Sequence, residues 1–195
     1  MILVLTSLEA TAGLARAFAA CVADSPALPP VLLHGQLGAG KTTFIRELVQ
    51  TLPGSENAEV SSPSFNILNL YPTTPPVGHF DLYRTEGRGF DPDLEETLFA
   101  PDHFCLLEWA EFLPKDSMPD SHIDMFWTAE AETRTVKITA HGPEALAFLE
   151  CLEKAASIQP ELSSCPKNDL SPNPCARSPW TTSSAKAIFA SACVP

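Results

Sequence analysis

Hydrophobic and polar positions along the chain alternate between two periods. From Ser7 to Val22 apolar residues recur at helical spacing through Leu14, Phe18 and Val22, and Ser7 stands where it can cap the helix they predict. "SPALPP", Ser25 to Pro30, stops that helix. "VLLHG", Val31 to Gly35, is a short apolar strand ending in glycine, and "TTFIRELVQTL", Thr42 to Leu52, has the period of a helix closed by Pro53 and Gly54. "SFNILNLY" and "VGHFDLY" are two further strands, a candidate hairpin around the turn-rich "PTTPP". "DPDLEETLFA" has a helical pattern. "HFCLLEWA" predicts a buried strand, because Phe104, Cys105, Leu106 and Leu107 are apolar without interruption. "HIDMFW" and "TRTVKITA" add two strands, and "GPEALAFLECLEKAA", Gly142 to Ala156, predicts a closing helix with proline in its first turn. Strands alternating with helices predict an α/β domain.

The pattern ends at Ser157. Proline, serine and small residues dominate from there to Pro195 and no hydrophobic period survives, so the expectation is a folded domain over 1–156 and a disordered Pro/Ser-rich tail over 157–195. The tail carries Lys167, Arg177 and Lys186 against Glu161 and Asp169. The acidity of the chain, 24 acidic against 12 basic residues and a formal charge of -12, therefore belongs to the domain. Such a surface repels a phosphate backbone, which disfavours direct nucleic-acid binding. The N-terminus lacks the basic region of a signal peptide, and no apolar run reaches the ~18 residues of a membrane span. A soluble, cytoplasmic protein without membrane contact is expected. The six cysteines show neither C-x-x-C pairs nor metal-ligand spacing with histidine and are expected as buried or free thiols.

Chemistry enters with "LLHGQLGAGKTTF", Leu32 to Phe44. It contains G-x-x-x-x-G-K-[ST] at Gly35, Gly40, Lys41 and Thr42, between an apolar strand and a periodic helix, the context that a phosphate-binding loop requires. Glycines at 35, 38 and 40 let the backbone turn its N–H groups inward, where they and the helix N-terminus form an anion site. Gly35, Gln36, Leu37, Gly38, Ala39, Gly40, Lys41, Thr42 and Thr43 are the candidate nucleotide-binding residues. Lys41 can reach the β and γ phosphates, and the Thr42 hydroxyl can hold Mg²⁺.

Hydrolysis also needs carboxylates at strand ends. Glu108 closes the apolar run "FCLLE", where nucleotide-hydrolysing folds set an acid beside Mg²⁺, and Asp81 in "HFDLYR" is placed for the same end of the sheet. A carboxylate there serves as a metal ligand or orients the attacking water. His79, a lone histidine in a strand, reads as packed or surface. Arg84 is a candidate phosphate contact with an exposed surface residue as its alternative.

Taken in order, "GQLGAGKTTF", "SSPSFNILNLY", "HFDLYR" and "LLEW" resemble the TsaE (YjeE) family of bacterial P-loop ATPases, over roughly Ser7 to Gly142 and including "LEAT" and Arg134. The resemblance implies a P-loop NTPase fold, a mostly parallel sheet with added antiparallel strands flanked by helices. It implies the ATPase subunit of the machinery that makes N6-threonylcarbamoyladenosine at position 37 of transfer RNAs reading ANN codons, acting with TsaB and TsaD and meeting tRNA only through that complex. It further implies that Lys41 and Thr42 bind ATP and Mg²⁺, that Glu108 and Asp81 are the acidic residues of the site, with Glu108 on the metal, and that Trp109 lies beside it. Ser64 stands where the family usually has threonine and keeps the hydroxyl.

Two other classes stay open. A small-molecule kinase needs a basic lid over the transferred phosphoryl group. Between Glu47 and Glu150 the basic residues are Arg84, Arg88, Lys115, Arg134 and Lys137, with "RTEGR" as the one minimal candidate. A nucleotide-gated interaction module would support its partner by binding without turnover. No N-K-x-D motif is present to select guanine, so adenine is expected.

Overall fold

The computed structural model describes residues 1–85 and 90–162. Within them the chain forms β1 (Ile2–Leu5), α1 (Leu8–Asp24), β2 (Val31–His34), α2 (Lys41–Thr51), β3 (Leu68–Tyr71), β4 (Val77–Asp81), α3 (Pro92–Leu98), β5 (Phe104–Glu108), β6 (His122–Glu130), β7 (Thr133–His141) and α4 (Pro143–Ser157). The strands build one sheet in the order β1-β7-β6-β2-β5-β4-β3. β6, β2, β5 and β4 run parallel, while the β1–β7, β7–β6 and β3–β4 pairs are antiparallel. This is the mixed α/β sheet expected of a P-loop NTPase fold.

Local chemistry accounts for the element ends. The Ser7 hydroxyl accepts from Ala10 N–H at 3.1 Å and caps α1, and Asp91 caps α3 in the same way, accepting from Asp93 N–H at 2.9 Å. β3 is shorter than its apolar pattern predicts, because Asn66 and Ile67 N–H both turn back to the Pro63 carbonyl, at 3.0 and 2.7 Å. β1, too short to stand out in the sequence, is held as an edge strand by β7, with Ile2 opposite Lys137.

Period-two alternation sends neighbouring residues of the central strands to opposite faces. Val31, Leu33 and Leu106 pack with Phe18, Phe44 and Phe148 of α1, α2 and α4. Leu32, Cys105 and Leu107 pack on the other face with Phe80 and with Leu98 of α3. Phe18 anchors the first layer, its ring 5.1 Å from Phe44 and 5.8 Å from Phe148. Full burial of each such side chain contributes roughly 1.5–3 kcal/mol. Over β6 and β7 the second face instead presents His122, Asp124, Phe126, Lys137 and His141, half-buried or exposed.

Two expectations change. The folded part does not end at Ala156, since Pro160–Leu162 form a 3-10 turn and Glu161 pairs with Arg16 of α1 at 3.1 Å. The rest of the proposed tail lies outside the described residues. Cys21 and Cys151, expected as thiols, form a disulfide between α1 and α4, with Cα atoms 5.8 Å apart across 130 positions of sequence. Helix packing makes that pair, and no local spacing announces it. Cys105 is a free, buried thiol whose pKa burial pushes up to about 12, which makes it unreactive.

Alkylation of unfolded, unreduced protein should therefore label Cys105 and spare Cys21 and Cys151, and prior reduction should lower the unfolding free energy by about 2–4 kcal/mol. Labelling of both residues without reductant would show the pair as thiols.

Candidate functional site

β2 delivers the chain to the loop at Gly35, and α2 takes it up at Lys41. Between them Gly35, Gly38 and Gly40 have φ of 134°, 78° and 111°, the left-handed region open to glycine. Beneath lies Trp127 of β6. A Cβ on Gly35 would strike the Trp127 carbonyl, and one on Gly40 would touch its ring at 3.4 Å. No side chain caps α2, so its first-turn N–H groups and dipole remain directed at the loop's concavity. That donor set fits a polyphosphate.

Lys41 is 4% exposed. Its ammonium donates to the carbonyls of Gly35 at 2.6 Å and Gln36 at 3.1 Å, and it sits 4.2 Å from the centre of the Trp109 ring. Burial pulls its pKa below the ordinary lysine value, while the charges of Glu108, Glu111 and Asp81 pull it back up. Trp109 reaches this position because the chain turns sharply after β5, with φ 59° at Trp109. Its ring continues outward to Tyr83, at 4.8 Å, and Phe112, at 6.3 Å.

The carboxylates come from neighbouring strands. Asp81 ends β4, Glu108 ends β5, and the register sets them directly opposite each other. Both are 4% exposed. The Thr42 hydroxyl donates to Glu108 Oε1 at 2.7 Å, and His79 Nε2–H donates to the same oxygen at 3.0 Å. The Tyr71 hydroxyl lies 3.4 Å from His79 Nδ1 and 3.2 Å from the Ser61 carbonyl. Asp81 is held separately, by the Ser62 hydroxyl on Oδ2 and by Tyr83 N–H on Oδ1 at 3.1 Å.

Leu37 to Thr43, Asp81, Glu108 and Trp109 thus meet around one cleft of about 290 Å³. A second cleft of about 260 Å³ opens on the far side of the same loop, where Gly38, Gly40 and Thr43 face Leu5 to Leu8, Thr11, Glu132 and Arg134. Arg84 stands apart, its guanidinium 4.5 Å from the Phe65 ring in a different cavity. The hydroxyl that engages Asp81 belongs to Ser62, two residues before Ser64. His79, read as packed or surface, is fully buried and orients Glu108. Its signal was available: it precedes Asp81 by two residues, and so shares its face of β4.

A family model described as threonylcarbamoyl adenosine biosynthesis protein TsaE matches residues 5–138. The chain is 38% identical over 125 residues to the tRNA threonylcarbamoyladenosine biosynthesis protein TsaE of Rickettsia bellii, spanning 63% of this chain and 82% of that one. It is 34% identical over 112 residues to the protein of the same name from Bacillus subtilis, spanning 56% and 68%. The crystal structure of Bacillus subtilis YdiB matches the fold with a TM-score of 0.63 at 26% identity, covering 79% of this chain and 94% of that one.

The loop geometry distinguishes two glycines. Gly35→Ala should lower thermal stability and abolish any rise in melting temperature on addition of ATP, because both its φ and the Trp127 carbonyl oppose a Cβ. Gly38→Ala has open space around it and should cost only the ~1–2 kcal/mol of a left-handed residue. Equal losses in melting scans with and without ATP would remove Trp127 from the account.

Proposed function

The chain belongs to the TsaE family of tRNA threonylcarbamoyladenosine biosynthesis proteins, and on that premise we propose that it binds ATP with Mg²⁺ and hydrolyses it to drive partner proteins. The observation that carries this reading is the Thr42–Glu108 hydrogen bond of 2.7 Å. It ties the helix that receives the phosphates to the end of β5, with Asp81 level beside it.

In this reading the loop N–H groups bind the phosphate oxygens. Lys41 exchanges its bonds to the Gly35 and Gln36 carbonyls for the β and γ phosphates. Thr42 Oγ1 and Glu108 would hold Mg²⁺, which when bound neutralises phosphate charge. His79 fixes the Glu108 carboxylate. Asp81, pinned through both oxygens, orients the attacking water. Adenine and ribose would occupy the second cleft, between the start of α1 and Arg134, since that cleft shares Gly38, Gly40 and Thr43 with the first.

Among the described residues Lys41 is the cation lining the phosphate cleft, and two carboxylates face it. Charge developing on the transferred phosphoryl group is then under-compensated, and a partner that adds a cation would raise turnover steeply. We assign that role to the TsaB–TsaD assembly, which installs N6-threonylcarbamoyladenosine at position 37 of tRNAs reading ANN codons. The acidic surface of this chain favours meeting tRNA only through the assembly. The cytoplasm is the proposed location. The Cys21–Cys151 bridge is uncommon in such a compartment.

ATPase activity should be low for the isolated protein and rise strongly when TsaB and TsaD are added; unchanged turnover would favour the kinase or binding-module alternatives. Lys41→Ala should lower turnover by roughly 10²–10³-fold and weaken ATP binding. Glu108→Gln should raise the Mg²⁺ requirement, whereas Asp81→Asn should spare ATP binding and slow hydrolysis. If both carboxamide variants lose binding equally, the division of roles is reversed or absent.

A further inference from the structure

The face of β6 and β7 left open by the helices carries a second cluster of chemistry. His122 opens β6, His141 closes β7, and the register sets them opposite each other. Asp124 lies two residues along β6 on the same face. His141 Nε2 is 3.1 Å and His122 Nε2 is 3.7 Å from Asp124 Oδ2. Bonds of ~2.0–2.1 Å at tetrahedral angles put ligand atoms about 3.3 Å apart, so these separations straddle the edge of a zinc tetrahedron. The two rings stack at 4.7 Å with planes 19° apart, and both Nε2 atoms approach the same Asp124 oxygen.

The surrounding contacts orient the three groups. His122 Nδ1–H donates to the Pro119 carbonyl at 2.7 Å, which leaves the lone pair of the neutral ring on Nε2, toward Asp124. His34 Nε2 bonds Asp124 Oδ1 at 2.8 Å and leaves Oδ2 to the two imidazoles. A backbone carbonyl behind one histidine and an imidazole behind the carboxylate are the kind of outer partners that fix metal ligands. Gly142 keeps the strand ends together: a Cβ there would meet Ser121 Cα at 2.7 Å, and Ser121 Oγ accepts from Ala145 N–H at 3.0 Å.

We propose that His122, Asp124 and His141 form a site for a zinc-class divalent transition metal, distinct from the Mg²⁺ position at Thr42 and Glu108. Two imidazoles and one carboxylate suit zinc over magnesium. The His141 side chain is 55% exposed, which gives an ion a path in and leaves a fourth position for water. Counting ~3.3 Å per residue along β6, His122 lies ~17 Å and Asp124 ~10 Å from Trp127 beneath the loop. The site's effect is structural, joining the start of β6 to the end of β7, and it stabilises the fold by mass action.

The test is Zn²⁺ titration of the full chain by calorimetry, with Co²⁺ absorption as the spectroscopic probe. One equivalent should bind without ATP, Co²⁺ should give visible d–d bands without a thiolate charge-transfer band, and Zn²⁺ should raise the melting temperature. His141→Ala, at an exposed position, should melt like the metal-free parent, keep ATP binding, and lose Zn²⁺ affinity by on the order of 100-fold or more. His34→Gln, acting through Asp124, should lose roughly 10–100-fold. Undiminished Zn²⁺ binding in His141→Ala, a cobalt–thiolate band, or binding abolished by Glu108→Gln would each overturn the assignment. So would the absence of binding to the parent chain.

Discussion

Three parallel strands ending level with one another are the constraint on which the phosphate cleft depends. Leu33 of β2 stands opposite Glu108 of β5, and Glu108 stands opposite Asp81 of β4. The loop leaves β2 one residue later, after His34. A slip of one residue in either pairing would turn every side chain of the slipped strand to the other face. The hydrophobic residues fix the register, since Leu32, Cys105 and Leu107 must enter one layer and Leu33 and Leu106 the other. The geometry of the candidate site is thereby set by core packing.

That arrangement buries Lys41, His79, Asp81 and Glu108 together. Each would be costly alone. Here every one has a partner: carbonyls and an aromatic face for the ammonium, a hydroxyl and an imidazole for Glu108, a hydroxyl and an amide for Asp81. A buried polar network holds a unique arrangement only when its members are satisfied jointly. The tyrosine and serine behind the acids, Tyr71 and Ser62, therefore belong to the site as much as the acids do.

Legibility from sequence followed the range of the interaction. Gly35 to Thr42 is local, its glycine spacing is a motif in itself, and its place between a strand and a helix could be read from the sequence. Glu108 was readable because it ends an apolar run, and Asp81 because its strand pattern placed it at the same end of the sheet. Ser7 declared its helix through capping chemistry. What stayed hidden depends on distant partners. His79 shares a strand face with Asp81 in the sequence itself, but its bond to Glu108 exists only once β4 and β5 are paired. Cys21 and Cys151 meet through the packing of α1 on α4, and His122 meets His141 through a hairpin register that neither strand encodes alone. Glu161 looked like part of a featureless tail until Arg16 of α1 was there to receive it.

Trp109 has a consequence of its own. Its indole lies against both the Lys41 ammonium and the ring of Tyr83, and Tyr83 is a largely exposed residue. A cation on an indole face changes that ring's electronic environment, so any withdrawal of Lys41 toward phosphate would alter the light the ring emits. Pressure on Tyr83 from outside would alter it as well. The residue is thus a built-in optical probe between the Lys41 cleft and the surface, sensitive to where a single positive charge is held.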